Sequence, residues 1–227
     1  MVIRHRAVLA EDKQERHHAI LDAAARLLAR SPDRVANVAE VADEAGLAKG
    51  TVYLYFPSKE ELLLALHERN VAGFFEAMIA RLERPEPVTL DFMLALMRRY
   101  MVDDPTYLPL ATRCLGLMAT QMPTEAAAAF MERMTDRLWS AGAGLERHFP
   151  TLPPGGGVVL LRRSYALIIG LWQLSSAHAA QGGEAAHCPT GQFDYAQELG
   201  VALAALWEGT IGRHLPASGT VPANQEA

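Results

Sequence analysis

Residues Asn37–Glu61, NVAEVADEAGLAKGTVYLYFPSKEE, constrain the fold of this 227-residue chain more than any other stretch. Asn37 can cap a helix, and Glu40 three residues on completes a capping-box pattern. Val38, Val41, Ala42 and Ala45 recur at helical spacing and give that helix one small apolar face. Gly46 follows, where a helix end needs a residue tolerant of positive φ, and Leu47 fills the corner. A second short helix can run through Lys49, Gly50, Thr51, Val52, Tyr53 and Leu54. Pro57 stops it, and Ser58 with Glu61 opens a third helix through another capping box. Two short helices joined by a tight turn, the second facing solvent, are a helix-turn-helix. A solvent-facing helix carrying Lys49, Thr51, Tyr53 and Tyr55 can enter a DNA major groove, its donors reaching phosphates and base edges. Spacing alone also allows a plain helical hairpin whose tyrosines pack in a core.

Half of the residues are hydrophobic, enough for a substantial core in one or two domains. Alanine, leucine and arginine are abundant and β-branched runs scarce, which points to an all-α protein. The formal charge of -5 does not advertise nucleic-acid binding, so any positive surface has to be local. Two distant cysteines, Cys114 and Cys188, make no disulfide framework and fit a reducing cytoplasm. The N-terminus has no long apolar core of a signal peptide. The most apolar stretch, Tyr165–Leu174, reads as too short to span a bilayer. The expectation is a soluble, cytoplasmic protein with no membrane partner.

Residues 1–12 read as a flexible basic arm bearing Arg4, His5 and Arg6. The first helix is expected over about Lys13–Arg30, with Ile20, Ala23, Ala24, Leu27 and Leu28 as its stripe and Ser31-Pro32 as its end. The fourth helix opens at Ser58 and extends to about Leu82, where Arg84-Pro85-Glu86-Pro87 breaks it. Thr89 caps the next, and Asp104-Pro105 reads as an N-cap with proline at the first helical position. Pro123-Thr124 begins another, with Phe130, Met134, Leu138 and Leu145 as its stripe. Two helices remain, about Gly157–Gln181 and Thr190–His214, both apolar nearly all round, as a helix buried on two sides is. The tail 216–227 is small, polar and proline-containing, and is expected to be disordered.

Within this frame the residues Val41-Ala42, Ala45-Gly46, Gly50-Thr51, Tyr53, Tyr55-Phe56, Ser58-Lys59-Glu60 and Leu62 match a dense signature. It resembles that of TetR-family (tetracycline-repressor-like) regulators, over the N-terminal third of the chain. Ala48 departs from it, standing where the family usually has serine, and Asn37 stands where threonine or serine is common. The resemblance implies about nine helices. A three-helix DNA-binding domain (13–70, motif about 37–56) would precede a ligand-sensing and dimerisation bundle (71–215) that pairs through the last two helices. It implies a DNA surface at Asn37, Val38, Ala48, Lys49, Gly50, Thr51, Tyr53, Tyr55 and Lys59, with Gly50 allowing close backbone approach. It places the homodimer interface at Leu167, Leu171, Leu199, Ala202, Leu203, Leu206 and Trp207. The DNA partner would be a double-stranded operator of palindromic half-sites, read by two helices roughly 34 Å apart.

A ligand site is expected among the methionines and aromatics of the middle helices: Phe92, Met97, Tyr100, Met101, Met118, Phe130, Met134, Tyr165 and Trp172. Methionine adapts to irregular shapes, which suits an apolar pocket, although ordinary core has the same composition. Few charges fall on these stripes, so the unknown small-molecule effector is expected to be apolar or aromatic. Enzyme readings are weak. Cys114 has no local partner, and His187-Cys188 lacks metal-ligand spacing. Glu132 and Asp136 lie with Arg133 and Arg137 on a solvated face. No cofactor or metal is implied. The expected function is a homodimeric repressor released from DNA by ligand. The alternatives are a DNA-binding dimer with no small-molecule effector and a small helical enzyme with a vestigial helix-turn-helix.

Overall fold

The computed structural model describes the backbone of residues 2–32, 34–120, 124–180 and 194–212, and the side chains of 12–32, 34–118, 125–176 and 194–212. Among the described residues it contains helices and no strand. They are α1 (Val2–Arg30), α2 (Val38–Ala45), α3 (Lys49–Tyr55), α4 (Lys59–Leu82), α5 (Leu90–Met97), α6 (Tyr107–Thr120), α7 (Thr124–His148), α8 (Gly156–Ala180) and α9 (Tyr195–Ile211). A π-helical turn, Arg98–Val102, extends α5.

Local capping chemistry sets the N-terminal boundaries. The Asn37 side chain accepts from the Ala39 and Glu40 N–H groups while Glu40 takes the Asn37 N–H, so the capping box closes. Gly46 has φ 67°, and its N–H returns to the Asp43 carbonyl at 3.1 Å. Ser58 Oγ accepts from the Glu61 N–H, but Glu61 takes the serine hydroxyl proton and not the backbone N–H, so this second box is half formed. The first helix starts at Val2 and not near Lys13, since no proline or glycine interrupts residues 2–12 and their helical propensity is good. Asp104 makes a side-chain turn to Thr106 (2.8 Å), and α6 starts only at Tyr107, so Pro105 precedes the helix. Asp194 caps α9 at Tyr195; the expected start at Thr190, the His187-Cys188 pair and the tail lie outside the described residues.

Two apolar cores result. The N-terminal one gathers Ile20, Leu28, Val41, Val52, Phe56 and Leu66; the C-terminal one gathers Phe74, Met78, Met97, Leu145, Ile168 and Trp207. Helix α4 belongs to both, with Leu62, Leu63 and Leu66 in the first and Val71, Phe74, Phe75, Met78 and Leu82 in the second. Its 24 residues span about 36 Å. Helix α6 is shared too, a role its sequence did not suggest. Leu110 and Cys114 enter the N-terminal core, while Tyr107, Leu108 and Ala111 enter the other. Arg113 on α6 donates to the Pro32 carbonyl at 2.8 Å, a side-chain link from the bundle to the loop before α2.

The last two helices divide the residues expected at the interface. Leu199, Leu203 and Trp207 are buried inside this chain, and the Trp207 indole N–H donates to Ser164 Oγ at 2.9 Å. Leu167, Leu171, Ala202 and Leu206 lie half-buried at the edge. The open apolar side of this pair carries Val201 (65% exposed), Leu174 (56%) and Val159 (38%). A helix apolar on all sides gives no pattern from which to choose the inner one. The apolar stretch is also longer than Tyr165–Leu174. By length and composition Gly156–Ser176 would cross a membrane, yet a third of it (33%) is already buried in the bundle.

Helix α7 meets α8 at two glycines. A Cβ on Gly157 would strike the Gly142 backbone, and one on Gly142 would lie 2.6 Å from Val158 Cγ2. Only glycine allows this approach, which fixes one wall of the bundle. Gly157→Ala is therefore expected to destabilise the fold by about 1–3 kcal/mol, seen as a melting temperature lower by at least ~2 °C. An unchanged melting temperature would contradict the contact.

Candidate functional site

The first candidate surface is the outer face of α3. Val52 (0% exposed) and Phe56 (4%) anchor the helix in the N-terminal core. The His17 ring of α1 lies on Phe56 at 4.8 Å between centroids and holds its C-terminal end. Anchored on that side, α3 presents Lys49, Gly50, Tyr53 and Leu54 outward, with Thr51 half-exposed. Lys49 Nζ lies 5.9 Å from the Tyr53 ring centroid. Leu54, 83% exposed, was not foreseen, because it fills an unspecified position between the two tyrosines. A Cβ on Gly50 would meet nothing within 4 Å, and its φ is not positive, so nothing within the chain requires glycine there. The other expected residues divide. Val38 is buried, the Asn37 side-chain oxygen is committed to its cap, and Tyr55 is half-buried against the core. Ala48 stands at the N-cap of α3 and gives it no side-chain cap, as its missing hydroxyl dictates. Lys59 is half-exposed in the first turn of α4; the Glu40 carboxyl is held below its usual range first by the Arg34 hydrogen bond and the Asn37 N–H, with Lys59 adding least.

The basic residues here are largely neutralised within the domain. Arg26 and Arg30 both bind Glu44, whose carboxyl falls to about 2 because their guanidinium groups hydrogen-bond it. Arg34 binds Glu40 and Arg69 binds Asp22. Among the described residues Lys13, Arg16, Lys49 and Lys59 form no ion pair, which leaves them as the cations available to a phosphate.

The second candidate is a cavity of about 290 Å³ in the C-terminal bundle, between α4, α5 with its π turn, α6, α7 and α8. Met97, Met101, Met118, Phe130, Met134 and Tyr165, of the residues expected around a ligand, line it. Three expected residues do not. Phe92 faces out beneath the Arg81 guanidinium, Tyr100 packs on the edge of Phe74, and Trp172 meets Tyr195 between α8 and α9. Composition marked these as candidates; helix direction excluded them. The α4 wall, His67, Val71, Phe74 and Phe75, was missed because a leucine-rich spacer helix gave no sign of a cavity. Tyr107, Leu115, Met131, Leu138, Leu161, Arg162, Ser164 and Ile168 complete the lining.

His67 is 3% exposed, with its ring 5.8 Å from that of Tyr107 and 5.9 Å from that of Phe130. Burial disfavours its charged form and brings its pKa down to about 4. Its neighbour Glu68 turns toward α7 and binds Arg133 and Arg137. Cys114 is buried, and burial pushes its thiol up to about 12, so it is inert packing. Among the described residues no group of histidine, cysteine, aspartate and glutamate could hold a metal. Since folded His67 stays neutral down to about pH 4 while the unfolded residue protonates near 6.5, the unfolded state binds more protons in that window. Stability should fall as pH is lowered through it. The unfolding free energy of His67→Phe relative to the unsubstituted chain should rise by about 2 kcal/mol between pH 7 and pH 5 in urea titrations.

Comparison with known proteins bears on the whole chain. The family model for bacterial regulatory proteins, tetR family, matches residues 20–66. The model for the tetracyclin repressor-like C-terminal domain matches residues 68–214. The fatty acid metabolism regulator protein of Bacillus subtilis is 35% identical over 68 residues, 30% of this chain and 35% of that one. The HTH-type transcriptional repressor KstR of Rhodococcus jostii is 30% identical over 144 residues, 59% of this chain and 65% of that one. The chain thus spans less than two thirds of the length of either relative. Two solved structures share the fold at 19% identity. They are the fatty acid degradation regulator FadR of Bacillus halodurans (TM-score 0.58, 85% of this chain and 98% of that one) and SmeT, the repressor of the Stenotrophomonas maltophilia multidrug efflux pump SmeDEF (0.56, 92% and 97%). With the two family models matching residues 20–66 and 68–214, the chain belongs to the TetR family of bacterial transcription regulators.

Proposed function

We propose that this protein is a homodimeric, cytoplasmic transcriptional repressor that binds an operator through α3 and releases it when an apolar ligand occupies the C-terminal cavity. The observation that carries this reading is the sharing of α4 and α6. The helices that wall the cavity, α4 through His67–Phe75 and α6 through Tyr107, Leu115 and Met118, also carry residues that pack the DNA-binding core, namely Leu62, Leu63, Leu66, Leu110 and Cys114. A ligand that fits only a displaced arrangement of these helices would shift the population toward it. The relatives named as repressors and as a fatty acid regulator support the direction of control and the apolar ligand.

Dimerisation is supported by the open apolar side of α8 and α9, with Leu174, Val201 and Val159 exposed. Two α3 helices could then meet successive major-groove faces, about 34 Å apart. On α3, Lys49, Thr51 and Tyr53 would supply base and phosphate contacts, with Tyr55 and Lys59 on the backbone. Leu54 would pack on a thymine methyl group. Gly50 would allow the DNA backbone to approach where a Cβ finds only open space within the protein.

Fluorescence anisotropy on DNA from the gene's own upstream region, against a scrambled duplex and across a salt series, tests the reading. Tight binding to the upstream duplex and weak binding to a single half-site are expected. Tyr53→Ala should remove that binding and leave a folded dimer; retained affinity would sink the role given to α3. Gly50→Ala should raise helix stability by about 0.5–1 kcal/mol while weakening operator binding at least tenfold. Specific binding that no apolar compound reverses would point instead to a regulator without a small-molecule effector.

A further inference from the structure

The cavity is hydrocarbon over nearly all its wall, and one patch breaks that pattern. The His67 and Tyr107 rings come together there from α4 and α6, and Tyr165 of α8 lines the same cavity. Ser164 also lines the cavity, but its hydroxyl is committed: it donates to the Leu160 carbonyl at 2.9 Å and accepts from Trp207 at the same distance. His67 is the opposite case. Its Nδ1 is closed off from the cavity and has no hydrogen-bond partner, while Nε2, which no hydrogen bond engages among the described residues, is the ring nitrogen left accessible. Native interiors satisfy nearly all such atoms, so an unpaired ring nitrogen in a cavity wall marks a place for a ligand atom.

We propose that His67 is the polar recognition point of this cavity, and that the effector is a mainly apolar molecule carrying one uncharged oxygen, a hydroxyl or carbonyl, that hydrogen-bonds to the His67 ring. This rests on the ligand-released reading above. The volume of about 290 Å³ holds roughly ten water-sized groups, so the apolar body is of medium length. The oxygen is uncharged because nothing at the patch would balance a carboxylate. Arg133 and Arg137 beside the patch already bind Glu68, and Arg162, the one arginine in the lining, is solvent-exposed. An unpaired anion there would lose its hydration without compensation. The position also carries the signal. His67 sits one residue from Leu66 of the DNA-binding core and touches rings from α6 and α7, so a ligand oxygen at His67 bears on the junction of three helices.

The test uses the full chain and three probes of matched length: 1-decanol, undecane and decanoate. Their dissociation constants are read by displacement of the neutral dye N-phenyl-1-naphthylamine. Decanol should bind about tenfold tighter than undecane, the worth of one hydrogen bond to a buried partner, and tighter than decanoate. His67→Phe should reduce the preference for decanol to under threefold while leaving undecane bound as well or better; His67→Leu serves the same purpose if the first variant does not fold. Equal binding of decanol and undecane, or a preference that survives both substitutions, overturns the role of His67 and leaves the apolar cavity standing. Tighter binding of decanoate overturns the uncharged oxygen. If no probe binds and none releases the upstream duplex, the ligand-released reading falls as well.

Discussion

Two rigid helices passing through both cores are the constraint on which this molecule depends. Were α4 and α6 confined to one core each, the domains would be joined by loops and could move independently. Here the leucines of one end and the phenylalanines of the other stand on a single rod. Close-packed interiors rearrange in discrete steps, so a displacement at Phe74 or Tyr107 cannot be absorbed without reaching Leu63 or Leu110. Side-chain links complete the frame: Arg69 ties α4 to α1, Glu68 ties α4 to α7, and Arg113 ties α6 to the Pro32 carbonyl. Exposed ion pairs of this kind add little stability. Their contribution is to fix which arrangement the helices take.

The electrostatics follow a similar economy. The chain is acidic overall, and among the described residues most arginines of its N-terminal domain are engaged by their own carboxylates. Attraction to a polyanion therefore cannot come from a broad positive field and falls to a few unpaired cations. Such a domain has a shallow dependence of DNA affinity on salt, and more of its discrimination rests on contacts made by α3.

The helix-turn-helix was legible in the sequence because its boundaries are local. Asn37, Gly46 and Ser58 act on backbone groups within a few residues, so their chemistry reads the same in the linear chain as in the folded one. The bundle was legible as helices and much less as an arrangement. Leu199, Leu203 and Trp207 look no different from Val201 until α5 and α8 are in place to cover them. The same holds for α6, whose apolar residues divide between two cores with no change in composition. His67 was silent for a different reason. A single histidine among leucines has the sequence signature of a surface position, and only the approach of Tyr107 and Phe130 turns it into a buried, unpartnered group.

The seven-residue helix α3 has no side-chain cap and is too short to persist on its own. It holds its shape through Val52 and Phe56, which face away from solvent. The outward residues Lys49, Gly50, Tyr53 and Leu54 contribute almost nothing to keeping the chain folded. Inheritance of the fold and inheritance of the target are thereby separated. A lineage carrying this scaffold can exchange those side chains and acquire new operators through intermediates that all remain folded, provided the buried pair keeps the helix in place.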